Sequence, residues 1–212
     1  GPPTQYYWGM YDQYIANPGF GKLNWLARFG LRALVKPMRR SDWRAAQRPD
    51  ALLANSHYVA DEIKRYYGRP SQVLFPLAQA DQIKLASQRV KAKDIRQIRQ
   101  ELFRGGDFYV VAGRQVNWKR FDLAIRACLE TGENLLVIGS GPEHNSLVKL
   151  AGDSPQIKFL PKYDGVGEIV KYYRSAKGLI FPSLEPFGIV PVEALASGLP
   201  VLAFRRGGAA DI

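Results

Sequence analysis

From residue 108 to the end of the chain, short apolar runs alternate with segments whose apolar residues recur at helical spacing. The runs are 108–112, 134–138, 156–160, 178–182 and 200–204, each with turn residues at its ends. Between them lie 121–131, 143–152, 166–175 and 189–197, which carry the helical pattern. Strand and helix in this rhythm mean a parallel sheet with crossover helices. The second half therefore reads as an α/β unit of Rossmann-like layout.

The first half is less regular. An aromatic opening, 5–14, precedes the turn-rich segment 17–21, and a helix is expected over 23–38, interrupted by Pro37. Residues 51–54 read as a strand, 59–67 as a helix with Ser56 as its N-cap, and 72–75 as another strand. Segment 81–103 is polar and weakly amphipathic, with a helical pattern. These readings divide the chain into a first Rossmann-like domain over 1–80, a linker and helix over 81–107, and a second such domain over 108–212. No strand with a phosphate-facing loop precedes Gly1, and no closing helix follows Ile212, so the sequence reads as truncated at both ends.

Composition narrows the setting. At 212 residues and 46% hydrophobic, the chain can bury a core, yet no run of about 18 apolar residues is available to span a bilayer. Gly1, Pro2 and Pro3 lack the basic and apolar regions of a signal peptide. Cys128 is the only cysteine, which excludes an internal disulfide, suits a reducing cytosolic setting and reads as packing in an apolar helix. The net charge of +11 is uneven. Residues 1–107 hold eighteen Lys and Arg against nine Asp and Glu, and residues 108–212 hold twelve against ten. A partner that attracts positive charge belongs to the first half, with nucleic acid, anionic lipid and a phosphorylated acceptor all open at this point.

The densest chemical signal is FPSLEPFGIVPVEALASG, residues 181–198. A strand ends near Pro182, a loop carries Glu185, and a helix begins near Ile189, with Pro191 in its first turn and Gly198 at its end. Unpaired N–H groups around Phe187, Gly188, Ile189 and Val190, aided by the helix dipole, make an anion site suited to a diphosphate. Gly188 lets backbone approach that ligand closely. Glu185 and Glu193, with seven residues between them, flank the site, and carboxylates accept hydrogen bonds from the paired hydroxyls of sugars and riboses. Taken alone, the two glutamates could equally be an exposed side chain and a partner of the helix dipole.

At these residues the chain resembles glycosyltransferase family 4, retaining enzymes of the GT-B fold with a Glu-x7-Glu signature. The resemblance implies that Glu185 contacts the donor sugar and Glu193 holds the ribose. A second match is VVAGRQVNWKRFD, residues 110–122, where the family places Gly-Arg after a strand and Lys a few residues later: here Gly113, Arg114 and Lys119. Two fixed cations suit a departing nucleoside diphosphate, which gains negative charge. Arg120 and Asp122 read as structural. A third match, VIGSGPE, carries Gly139 and Gly141 at a turn that the family packs under the nucleotide, and loop 160–163 corresponds to one beside the base. ALLANSHYVADEIKRYYGR in the first half is also similar to the family, whereas Pro76, Leu77, Ala78 and Gln79 depart from its Pro-Pro-Val-Asp. His57 and His144 have no metal-ligand spacing around them.

The resemblance implies a GT-B architecture of two parallel-sheet Rossmann-like domains, the first incomplete. It implies transfer of a hexose from a nucleoside diphosphate sugar to a hydroxyl, with retention and without a metal or other cofactor. Arg114, Lys119 and Glu185 are its catalytic groups, and a polysaccharide or lipid-linked glycan is the acceptor. On a helical wheel of 23–40, Leu23, Leu26, Ala27, Gly30, Ala33 and Leu34 share one side, and Arg28, Arg32, Lys36 and Arg39 the other. Such a helix is either a solvated face or a contact to anionic lipid at the cytoplasmic side of a membrane, through Arg28, Arg32 and Lys36. Nucleic acid is not expected as a partner, because no RNA- or DNA-binding motif accompanies the charge. The rival function is a noncatalytic nucleotide-sugar-binding module, or an inactive truncated enzyme.

Overall fold

The computed structural model describes residues 3–16 and 21–212, so residues 17–20 of the expected turn lie outside them. Two compact units divide after Pro76.

The first unit holds α1 (Tyr11–Ala16), α2 (Asn24–Ala46), β1 (Leu53–Ala54), α3 (His57–Tyr67) and β2 (Gln72–Val73). β1 and β2 pair in parallel, Leu53 opposite Gln72 and Ala54 opposite Val73. Ser56 caps α3, its hydroxyl accepting from the Val59 amide at 3.0 Å, and Gly68 closes that helix in the left-handed region. Ala54, Val59, Ile63 and Tyr67 form the small core. Asp42 ties the aromatic opening to it, accepting from Trp8 Nε1 at 2.6 Å and from the Tyr67 hydroxyl at 2.7 Å.

Helix α2 departs from the sequence expectation twice. It runs through Pro37 to Ala46 rather than being interrupted there and ending at Met38. A proline inside a helix removes one N–H bond and crowds the preceding turn at about 3 kcal/mol, a cost offset here by the contacts of the following turns. Asp42 on the continuation is the hub just described. Its packed face is also different: Val35 is buried, while Leu23, Leu26 and Leu34 of the expected apolar side are 59%, 52% and 55% exposed. Arg39, expected on the solvated basic side, instead lies over the rings of Trp8 and Tyr11, 5.1 and 5.0 Å from their centroids.

The second unit begins with α4 (Ala80–Arg89) and α5 (Ala92–Phe103). This is the segment expected as linker and helix, 81–107. The structure instead makes it two helices, broken where Val90 turns extended and Asp94 accepts from the Lys91 amide at 3.0 Å. Ile83 is buried there, and Ile98 and Leu102 pack against the same core, so the segment is structural to this unit.

There follow β3 (Phe108–Ala112), α6 (Phe121–Thr131), β4 (Asn134–Ile138), α7 (His144–Ala151), β5 (Ile157–Leu160), α8 (Gly165–Ser175), β6 (Gly178–Phe181), α9 (Ile189–Ala196) and β7 (Val201–Ala203). All pair in parallel, in the order β5-β4-β3-β6-β7. Successive side chains on a strand face opposite sides. Phe108, Val110 and Ala112 accordingly enter one core with Tyr173 and Ala194, and Val111 enters the other with Phe121, Ile125 and Leu147. Cys128 packs in that second core, where burial pushes its thiol pKa up to about 11. The architecture is α/β with parallel sheets.

Candidate functional site

Leaving β3, the chain first builds the sheet outward through β4 and β5, then returns to the other side of β3 for β6 and β7. Loops leaving β3 and β6 therefore run apart at the carboxyl edge of the sheet, the place where parallel sheets leave a crevice for ligands. The loop after β3 carries Gly113, Arg114 and Lys119, the loop after β4 Gly139 and Gly141, and the loop after β6 Glu185.

Lys119 and Glu185 bridge the crevice. Lys119 Nζ lies 3.0 Å from Glu185 Oε1, with the two side chains only 13% and 14% exposed. Ser183 Oγ donates to the same carboxylate oxygen at 2.9 Å, and the Trp118 ring lies 5.3 Å from the ammonium. Arg114, by contrast, is exposed and has no ion-pair partner among the described residues.

Beside this pair opens a cavity of about 500 Å³, lined by Ala112, Gly113, Arg114, Gly139, Ser140, Gly141, Pro142, Pro161, Lys162, Tyr163, Tyr173, Val190 and Glu193. Its walls combine glycine backbone, two cations, two phenol rings and one carboxylate, which suits a ligand with a phosphate end and a planar or hydroxyl-bearing end. Burial pushes the pKa of Glu193 up. Burial, then the charge of Glu193, raises that of Tyr163.

Of the residues singled out in the sequence, Gly113, Arg114, Gly139, Gly141, Val190 and Glu193 line the cavity, and Lys119 and Glu185 meet beside it. Phe187, Gly188 and Ile189 do not line it. Phe187 is buried, Ile189 is 50% exposed, and Gly188 caps α9 at φ +114°, a conformation that favours glycine. Pro191 stands third in α9 and has no N–H, so the amides that precede it in the first turn are those of Ile189 and Val190.

Sequence reasoning missed Tyr173, which stands in no motif and enters the cavity only through the fold, and it assigned no single side chain in loop 160–163, which supplies Lys162 and Tyr163. It also missed the brace on the Glu185 loop. The Gly208 amide donates to Glu185 O at 2.8 Å, and a Cβ at Gly208 would lie 2.3 Å from Phe187 Cα. Consecutive glycines after β7 were the available signal.

Comparison with known proteins is consistent across sequence and fold. The family model described as glycosyl transferases group 1 matches residues 94–212. A D-inositol 3-phosphate glycosyltransferase of Streptomyces avermitilis is 32% identical over 181 residues, which cover 75% of this chain and 38% of that protein. The chain thus spans about two fifths of the length of the curated relatives it matches over three quarters of its own length. Among solved structures, Anabaena HepE in complex with UDP and glucose superposes with a TM-score of 0.67 at 24% identity, covering 82% of this chain and 49% of that one. The catalytic domain of starch synthase IV from Arabidopsis thaliana, bound to ADP and acarbose, gives 0.63 at 18% identity, covering 80% and 42%. At these identities the two structures speak to the fold.

Proposed function

Because the chain belongs to the glycosyl transferases group 1 family, we propose that its cavity binds a nucleoside diphosphate hexose. Within the intact enzyme the hexose then passes to a hydroxyl of a polysaccharide or lipid-linked glycan, with retention. The observation that carries this reading is the cavity at the carboxyl edge of the five-stranded sheet, where Gly113, Arg114, Gly139, Gly141 and Glu193 converge. Arg114 and Lys119 stabilise the charge that develops on the leaving diphosphate, the role a metal ion fills elsewhere. Glu193 receives the ribose hydroxyls, and Glu185 receives the sugar.

Calorimetry with UDP, ADP and UDP-glucose tests the reading. One diphosphate should bind, Glu193→Gln should weaken it about tenfold through the loss of charged hydrogen bonds, and Glu185→Gln should weaken only the sugar conjugate. The Glu193 change has a second readout. Its raised pKa means the folded chain holds the proton more tightly than the unfolded one, so stability falls as pH rises through that interval, and the full cost is present above both pKa values. Glu193→Gln should therefore raise Tm relative to wild type at a pH above that interval. Absence of binding by all three ligands overturns the assignment.

A membrane surface is the second partner in this proposal, supported by one feature of α2. Trp25 and Phe29 are 68% and 70% exposed and share a helix face with Arg32 and Lys36. Interfacial aromatics beside cations fit an anionic headgroup layer, each cation contributing roughly 1 kcal/mol. No described helix is long and apolar enough to cross a membrane. Joint reversal of Arg28, Arg32 and Lys36 to Glu should abolish sedimentation with phosphatidylglycerol vesicles at low salt and leave nucleotide affinity alone. Unchanged sedimentation removes the membrane contact.

A further inference from the structure

Gln115 is polar, yet it is fully buried, at 0% exposure, behind the cavity rather than in its wall. Its Nε2 donates to the Gly139 carbonyl at 2.6 Å, and its Oε1 lies 2.8 Å from Nδ1 of His144. A carbonyl only accepts, so the amide nitrogen must face Gly139 and the amide oxygen His144. An amide oxygen likewise only accepts, so Nδ1 of His144 carries a proton. The imidazole also packs against the Phe159 ring, edge-on at 5.5 Å between centroids.

The main chain around Gln115 is stitched to the same neighbour. Gly113 N donates to Ile138 O at 3.0 Å, Gln115 N to Ser140 O at 2.9 Å, and Glu143 N to Gln115 O at 3.1 Å. The contact is so close that a Cβ at Gly141 would lie 2.3 Å from Gln115 O. The loops after β3 and β4, which supply Arg114 and the cavity glycines, are thus joined by main chain and by one buried side chain.

We propose that Gln115, with His144 as its partner, is a positioning residue that clamps the loop after β3 to the loop after β4 and so fixes the spacing of Arg114 against Gly139 and Gly141. The functional side of this inference rests on the reading of the cavity as a nucleotide site. Fixed spacing matters there because a diphosphate must meet the backbone of one loop and the guanidinium of the other at once, and preorganised donors bind without rearrangement.

Gln115→Met keeps the side chain's length and removes both of its hydrogen bonds. It should weaken binding of UDP or ADP about tenfold and speed amide hydrogen exchange at Gln115 and Glu143. Ile125→Val, a buried change in α6 away from the cavity, should lower Tm and leave both readouts alone. His144→Phe keeps a ring against Phe159, should act in the same direction more weakly, and should add nothing to Gln115→Met. It also carries the test if Gln115→Met fails to fold. Wild-type affinity and exchange in Gln115→Met overturn the clamp, as does an equal loss of affinity in Ile125→Val. If the unaltered chain binds neither nucleotide, the nucleotide reading falls, and the exchange rates still decide whether the two loops are clamped.

Discussion

Lys119→Ala in the intact enzyme is expected to lower turnover by about 10²- to 10³-fold, the range for loss of one fixed group facing developing charge. Under the proposed reaction, breakage of the sugar–phosphate bond leaves negative charge on the departing diphosphate. Lys119 stands at 13% exposure, where water screens it poorly. The substitution also strips Glu185 of its cation and leaves it the hydrogen bond from Ser183. Sugar placement and leaving-group stabilisation therefore fail together, so Lys119→Arg, which keeps the charge, should restore only part of the rate. Single-turnover kinetics with native circular dichroism is the measurement, and a rate within threefold of wild type would falsify the role given to this ammonium.

Gly139→Ala should produce the largest loss of stability. The residue sits at φ +113°, and a Cβ there would lie 2.1 Å from the Gly113 carbonyl oxygen. That neighbour is backbone held by the sheet, so it cannot swing aside as a flexible side chain would. Strain of this kind together with an irreducible clash places the cost at roughly 3 kcal/mol or more, and the fall in Tm at about 6–12 °C. Gly152→Ala separates the two causes. Gly152 also has a positive φ, +58°, but nothing lies within 4 Å of its Cβ position. It should lose much less, and equal losses for the two variants in thermal melts would show that backbone conformation, and not the contact of the loops, sets the cost.

The parallel sheet was legible because burial on both faces writes itself into short apolar runs. Phe108–Ala112, Asn134–Ile138 and Phe121–Thr131 fall where the pattern places them. Glu185 and Glu193 were legible as a spaced pair, but the ion pair between Glu185 and Lys119 was not, since 66 residues and three strands separate them in the chain. Gln115 shows the limit well. A glutamine between Arg114 and Val116 reads as surface, and its burial depends on the approach of a loop from another strand. The segment 81–107 misled for a related reason. Its few apolar residues, Ile83, Ile98 and Leu102 among them, look too sparse for a core element until α8 supplies the facing side. On α2, the wheel sorted residues by polarity, whereas Arg39 is drawn inward by the Tyr7 carbonyl and the rings of Trp8 and Tyr11.

The Lys119–Glu185 bridge also bears on competition among anions. Inorganic phosphate arriving at the crevice must draw the ammonium from a carboxylate that already neutralises it, and it leaves that carboxylate uncompensated in a poorly hydrated place. A lone ion has nothing else to offer in return. A nucleotide sugar brings hydroxyls to the abandoned carboxylate and a base to the cavity beside it. Under the proposed function the bridge thus makes the site a filter that discounts abundant small anions in favour of a ligand able to occupy both of its halves.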